Sequence, residues 1–403
     1  MLIVHRRLPS QRMRLAAAMI TLTLTTLVGG ISSGGATVQS GLRPTTLTMP
    51  DGSRHTLNIP AGMTISLYER GLSGPRFMAL GPRGDVLIAE RDGGSLSVLL
   101  NRRGGVAATG VVRLLNGLDT PHGVAYSAGR VYVGEQGQVS VMRYDPAGPR
   151  VTGRTVIVSG LPTGAGHSTR TVTIGPDGML YVSVGSSCNV CIESDWRRAT
   201  VVRYRPDGSG GALFARGLRN SVGLAWQPGS NLLWATENGR DDLGDNIPPD
   251  EINIIRRGAD YGWPYCWGDR HQDPDVGRPG YCARTSPPTV ALQAHSAPLG
   301  LAFYTGMALP PHYHGGLFVA FHGSWNRSQP TGYKLVYIPV SGARAGTVED
   351  VVTGWVAASA SNGPDQSWGR PVGVLVAPDG SLLISDDKAG VVYRLAATPK
   401  RTT

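Results

Sequence analysis

The chain has 403 residues, 56 of them glycine and 29 proline, and only 16% are charged. That balance fits many short strands and tight turns in one large fold, and no long amphipathic helical pattern runs through it. The formal net charge of +10 includes a cationic leader, and no basic stripe with interleaved aromatics follows, which argues against a nucleic-acid partner.

At the N-terminus, His5, Arg6, Arg7, Arg12 and Arg14 precede an apolar run from Leu15 to Val28 and then Gly, Ser and Ala. This reads as a secretory signal cleaved near Ala36. The competing reading is a membrane anchor, although the run falls short of the ~20 residues that a span needs. The expected product is exported, most simply to a periplasm. Residues 37–60 read as a Ser, Thr and Gly rich linker running into a first strand near Thr56–Ile59.

From Arg76 onward one grammar repeats: an apolar strand, a Gly, Pro or Asp turn, and a second apolar strand. It occurs as RFMALGPRGDVLIAE from Arg76, HGVAYSAGRVYVGE from His122 and RTVTIGPDGMLYVSVG from Arg170. Three more follow, SVGLAWQPGSNLLWATE from Ser221, a longer-turned copy from Leu299, and PVGVLVAPDGSLLISDD from Pro371. Outer strands close on Gly-Leu or Gly-Trp corners at Leu72, Leu118, Leu161, Leu218 and Trp355. A small sheet cannot cover its own faces, so such repeats are stable only when stacked in a ring. The expectation is an all-β, six-bladed β-propeller with four-stranded antiparallel blades over residues 61–398, closed by N-terminal strand material, with 399–403 as a tail.

In such a ring, the loop entering a blade's first strand and the loop joining its second and third strands lie on the same face. The entering loops carry Arg76, His122, His167 with Arg170, Arg219 with Asn220, His295, and Arg370, and the second-to-third loops are long in the third, fourth and fifth blades. One face should therefore bear a cationic, histidine-containing pocket.

His167 could take a proton from a substrate hydroxyl, or be a hydrogen-bonded loop histidine. Arg219 could grip a carboxylate or a developing oxyanion, or form a surface ion pair. The loop from Asn238 onward holds Asp241, Asp242, Asp245, Asp250 and Glu251, oxygen ligands that suit Ca²⁺, and a solvated acidic loop is the alternative. The four cysteines read as two disulfides, Cys188 with Cys191 and Cys266 with Cys282, or as a zinc site. Ile192 rather than His follows Cys191, which disfavours covalent haem.

The His167 segment with GPDG, the GLRN segment, TENG through DEIN to DYGWP, and GRPVGV with APDG together resemble the glucose and sorbosone dehydrogenases that use pyrroloquinoline quinone. GSSCNVC, HGSWNR and GRPVG are more similar to the sorbosone branch. The resemblance spans about Gly71 to Leu395 and implies a sugar or aldehyde substrate, pyrroloquinoline quinone and Ca²⁺ as cofactors, and an external acceptor such as a cytochrome or membrane quinone. It implies His167 as general base, and Arg219 and Asn220 as the pair contacting the quinone. Asn238, Gly239 and Arg370 fall at cofactor positions. The carbonyls of Gly239 and Arg240 fall at Ca²⁺ positions, with Asp250, Glu251 and Tyr261 in support beside them. Where the glucose dehydrogenases have a lysine after the strand LFVAF, Arg327 or Lys334 is expected to supply the charge. A Ca²⁺-dependent propeller lactonase and a noncatalytic binding propeller are the other functions this fold allows.

Overall fold

A computed structural model describes residues 41–101, 105–357 and 364–399; the leader, its cleavage point and residues 400–403 lie outside them. Six four-stranded antiparallel sheets follow one another along the chain. Blade 1 is Pro75–Leu80, Val86–Glu90, Ser95–Leu100 and Gly110–Leu115, and blade 2 is Gly123–Ser127, Arg130–Glu135, Gln138–Asp145 and Arg150–Val158. Blade 3 is Val172–Ile174, Leu180–Val184, Thr200–Tyr204 and Ala212–Arg216, and blade 4 is Leu224–Trp226, Leu233–Glu237, Glu251–Ile255 and Val290–Ala291. Blade 5 is Pro298–Phe303, Leu317–Phe321, Lys334–Ile338 and Glu349–Val352. Blade 6 takes Pro371–Val376, Leu382–Asp386 and Val391–Ala397 from the end of the chain and Met63–Arg70 from its beginning. That last pairing runs from Met63 opposite Ala397 to Arg70 opposite Val391 and closes the ring with backbone hydrogen bonds.

The second strands of blades 1, 3, 4, 5 and 6 are buried at every position. Sheets covered on both faces have no solvent side to mark with polar residues, which is why these strands read as continuous apolar runs. The innermost strands meet through a repeated contact. Gly223 N–H donates to Thr236 Oγ1 at 2.7 Å, and that hydroxyl donates onward to Leu299 O of the next blade at 2.8 Å. Blade 6 does the same with Gly373, Ser385 and Arg76 O, at 2.8 and 2.6 Å. A Cβ at Gly223 would sit 2.1 Å from Leu299 O, so the recurring glycine is a close-approach residue. Gly223→Ala is expected to lower unfolding stability by about 1–3 kcal/mol, the usual overpacking cost, measured by urea denaturation.

Within residues 42–60 the strand expected near Thr56–Ile59 is present as part of Arg54–Pro60, but the stretch before it is a strand too and not a linker. Leu42–Thr48 and Arg54–Pro60 form a hairpin in full register, and Asn58 exchanges backbone hydrogen bonds with Thr353 at 2.8 and 3.1 Å. Leu47, Leu57 and Ile59 are buried in the cluster that contains Trp355. A polar composition hid an alternating apolar face. Both disulfides form as Cys188–Cys191 and Cys266–Cys282. No helix among the described residues is long and apolar enough to cross a membrane.

Candidate active site

One end of the ring gathers two sets of residues. The first residue after each second strand is, from blade 1 to blade 6, Arg91, Gln136, Gly185, Asn238, His322 and Asp387. The entering loops bring His122, His167, Arg219 with Asn220, His295 and Arg370 to the same end, and Arg76 joins them from the second position of blade 1's first strand. Beneath them Val222, Leu299 and Val372 pack together with Phe77, residues from four blades forming an apolar floor.

The corners are fixed by buried acids. In four blades the last residue of the second strand accepts a backbone N–H from the entering region. Ser73 donates to Glu90 at 2.8 Å, Asp119 to Glu135 at 3.0 Å, Asn220 to Glu237 at 2.8 Å and Arg370 to Asp386 at 2.8 Å. Burial pushes Glu237 up to about 8 and Asp386 up to about 6.

His167 lies against Gly185, where an added Cβ would meet His167 Cβ at 2.6 Å and Asn220 Oδ1 at 2.8 Å. Only a glycine lets the imidazole and the Asn220 amide share that corner. His167 Nδ1 is 3.0 Å from Ser186 Oγ and 3.2 Å from Ser186 O. Ser186 Oγ gives its own proton to Cys188 O at 2.6 Å, and the carbonyl can only accept. Nδ1 therefore carries the hydrogen and Nε2 the free lone pair. Burial, together with the nearby Arg219, Arg198 and Arg170, pulls His167 down to about 3 against the bond to Ser186, so the ring is neutral at physiological pH.

Arg219 is buried, and its donors all meet protein oxygens. Nε donates to Asn189 O at 2.9 Å, Nη1 to Gly239 O at 2.8 Å and Asn238 O at 3.3 Å, and Nη2 to Asn189 Oδ1 and Asp241 Oδ2, both at 2.9 Å. The sequence leads one to expect an arginine reaching for a ligand; the structure holds a charge whose N–H groups are committed. Asn220 Nδ2 donates to Asn238 Oδ1 at 3.2 Å, and Asn238 Nδ2 to Pro298 O at 2.9 Å, so this pair bridges blades 4 and 5.

A second cluster forms around Asp387. Its carboxylate meets Arg76 Nη1 at 2.5 Å and His322 Nε2 at 2.9 Å. Burial opposes its ionisation, but His322, Arg76 and Arg370 outweigh that and hold Asp387 well below the usual carboxylate range. His322, pulled down to about 4 chiefly by burial, is a neutral donor to it. Arg370 donates to His322 O at 3.1 Å and Gly323 O at 3.0 Å. Arg76 Nε donates to His122 Nδ1 at 3.1 Å, which puts the hydrogen of that buried imidazole on Nε2. His122 Nε2 has no protein partner. Arg91 Nη2 donates to Ser168 Oγ at 3.2 Å and ties this cluster to the His167 loop.

Several expected site residues have other duties. Arg327 donates to the carbonyls of Asp245, Ala294 and Gln329, clasping loops of blades 4 and 5, and Lys334 pairs with Asp350 at 2.7 Å. His322 holds the place after LFVAF where a cation was sought. The Arg240 side chain pairs with Asp273 and Asp275, both at 2.8 Å. Asp250 accepts the amides of Gly239 and Ala297, each at 2.8 Å, so it orients the candidate metal-binding backbone without offering a free oxygen. Glu251 accepts from Asn253 at 2.8 Å and Gly268 N at 3.1 Å, and the Tyr261 hydroxyl donates to Ile254 O at 2.6 Å. These two are packed supports. His322, Asp387, Arg91 and Asn189 were missed, and counting one residue past each second strand would have found the first three.

The fold and site define a six-bladed propeller with cations and imidazoles gathered at one end over an apolar cluster. The chain belongs to the TrAA12-like family, whose profile matches residues 57–278 and 271–398. It is 27% identical over 404 residues to the pyrroloquinoline quinone-dependent pyranose dehydrogenase of Coprinopsis cinerea, across 84% of this chain and 54% of that protein, so it spans about half the length of that relative. It is 26% identical over 392 residues to the pyrroloquinoline quinone-dependent sugar dehydrogenase of Hypocrea jecorina, across 83% of this chain and 88% of that one. The solved holo form of the Coprinopsis pyranose dehydrogenase PQQ domain matches with a TM-score of 0.75 and 26% identity, over 85% of this chain and 98% of that one.

Proposed function

We propose that the protein is an exported quinoprotein dehydrogenase that oxidises a sugar or a sugar-derived aldehyde, the latter by its likeness to the sorbosone dehydrogenase branch. The observation that carries this reading is His167, neutral and tautomerically fixed, standing beside a well of cations. When bound, pyrroloquinoline quinone supplies a two-electron acceptor and Ca²⁺ a cation against its oxygens. A flat polycarboxylate suits the donors present: Arg76, Arg91 and Arg370 are cationic, His122 Nε2–H is buried without a partner, and the floor is apolar. For Ca²⁺ the chain offers the carbonyls of Gly239, which already accepts Arg219 Nη1 at 2.8 Å and has one lone pair left, and of Arg240, so most of its ~6–8 oxygens must come from ligand and water. Apart from Asp387, the groups gathered at that end are cations and imidazoles, which suit an anionic quinone.

His167 Nε2 accepts the proton of the substrate hydroxyl, in an aldehyde that of its hydrate, as the carbon bearing that hydroxyl gives up hydride to the two-electron acceptor that the quinone would supply. Ser186 keeps the ring in the accepting tautomer, and the fixed charge of Arg219 resists a resting imidazolium. The electrons pass to an external acceptor, a cytochrome or a membrane quinone.

The test is to titrate purified protein with pyrroloquinoline quinone and Ca²⁺ and follow quinone absorbance and dye reduction over a panel of aldoses and sorbosone. Saturable binding with sugar-dependent reduction supports the reading; no reduction on any substrate overturns it. The pH profile adds a second expectation. An ordinary imidazole near 6.5 would be mostly protonated at pH 5, losing about thirtyfold in active base. With His167 pulled down to about 3, kcat/KM should hold nearly level from pH 7 to 5.

A further inference from the structure

We propose that Asn189, presented by the four-residue ring that Cys188 and Cys191 close, is a positioning residue for Arg219, and that the same ring fixes the orientation of His167. The inference rests on the reading of His167 as base. Asn189 is engaged on every side. Its backbone carbonyl accepts Arg219 Nε at 2.9 Å and Trp263 Nε1 at 3.2 Å. Its Oδ1 accepts Arg219 Nη2 at 2.9 Å and Asp241 N at 2.8 Å. Its Nδ2 donates to Asp241 O at 3.2 Å and to Asp242 Oδ2 at 3.1 Å. One side chain thus sews the blade 3 loop to the blade 4 loop. It holds Arg219 and the backbone of Asp241, whose carboxylate pairs with Arg219 at 2.9 Å.

The residue type follows from that pattern. Aspartate would keep the acceptors, lose both donors, and set a charge against Asp241 and Asp242; glutamine would carry the amide a methylene too far. The ring supplies rigidity where a long loop would not. The disulfide joins residues three apart. Ser187 then caps the turn on Glu193, its amide donating at 2.6 Å and its hydroxyl at 2.7 Å. The His167 link runs through the same ring, because the Ser186 hydroxyl donates to Cys188 O at 2.6 Å and so turns its lone pairs to His167 Nδ1 at 3.0 Å. A loop that only covered the surface would need neither the amide at 189 nor a carbonyl fixed at 188. Base and cation are held in one frame by one small covalent ring.

The experiment uses the full chain in two arms. In the first, ¹⁵N-histidine spectra at neutral pH, without cofactor, report the His167 tautomer, assigned by its loss in H167Q. Wild type should show a single Nδ1–H form, and Cys188→Ser/Cys191→Ser a mixture, because the acceptor left to Nδ1, Ser186 O at 3.2 Å, already takes the His167 amide at 2.9 Å. In the second arm, protein loaded with pyrroloquinoline quinone and Ca²⁺ is assayed on the best sugar found for wild type. Asn189→Ala should lose about tenfold or more in kcat with KM little changed, because a freed Arg219 no longer fixes the Asn238 and Gly239 carbonyls beside the corner that Asn220 shares with His167. The proposal is overturned if a cooperatively folded ring-open protein keeps the single tautomer, or if Asn189→Ala keeps kcat within about twofold. If Asn189→Ala does not fold, Asn189→Gln carries the same criterion, and if the serine pair does not fold, Cys188→Ala/Cys191→Ala replaces it, leaving Cys266–Cys282 intact. Should wild type itself show no turnover, the functional reading fails while the tautomer arm still decides the role of the ring.

Discussion

His167→Ala is expected to lower kcat by roughly 10²–10⁴-fold, the usual contribution of a positioned general base, with quinone affinity unchanged within a few-fold. The split follows from the contacts. The His167 side chain bonds to Ser186 and touches the Gly185 corner, whereas the cations suited to a polyanion bond elsewhere: Arg76 to Asp387, Arg370 to His322 O, and Arg91 to the Ser168 hydroxyl beside the imidazole and not to the ring itself. Removing the imidazole deletes the proton acceptor and leaves that binding set intact. Quinone absorbance titration and stopped-flow reduction separate the two quantities. Equal loss of affinity and turnover would mean that His167 belongs to the binding set, and retained turnover would remove it from the chemistry. His167→Gln is a useful companion, since it restores an amide to the corner but no base. Its kcat should fall like that of the alanine variant.

The ring of blades was legible because each hairpin carries its own turn chemistry, and an inner strand wedged against its neighbour needs glycine at a fixed place, as at Gly223 and Gly373. His167, Asn220, Asn238 and Arg370 could be placed at one end for the same reason: a strand's end is a topological fact. What the chain did not disclose is which donor meets which acceptor. Arg219 and Arg370 look alike in sequence. In the structure one has its N–H groups fully committed to Asn189, Asn238, Gly239 and Asp241, and the other lies beside the Asp387 cluster. Asp250 and Glu251 look like ligands because carboxylates in a loop attract cations, yet burial placed them against backbone amides. The Leu42–Pro60 hairpin was obscured by its threonines, which suit strands but resemble a linker in composition. Asn189 gave no signal, since only the disulfide and the Arg219 fork together make it important.

Asp387→Ala is expected to destabilise the cofactor-free protein by about 3–5 kcal/mol, the cost of leaving a buried charge without its partner. Arg76 is 5% exposed, and its salt bridge to Asp387 is shared with a donor hydrogen bond from His322. Arg370 adds like charge beside them. Without the carboxylate, Arg76 keeps only the neutral His122 nitrogen among its side-chain partners, and desolvation of the guanidinium goes uncompensated. The pH dependence has a definite sign. A carboxylate held below its ordinary value, ~3.9, contributes stability that is present above that pH and is lost as pH falls toward the lower folded value. Wild type should therefore lose stability more steeply below about pH 4 than Asp387→Asn, compared by urea unfolding across that range. The ligand response should run the other way. With one negative charge gone, the well repels a polyanion less, so pyrroloquinoline quinone should raise the melting temperature of Asp387→Asn by more than it raises that of wild type. A smaller rise in the variant would place Asp387 in direct contact with the quinone, as an acceptor for one of its protonated groups, and not as the counter-ion that the bound carboxylates relieve.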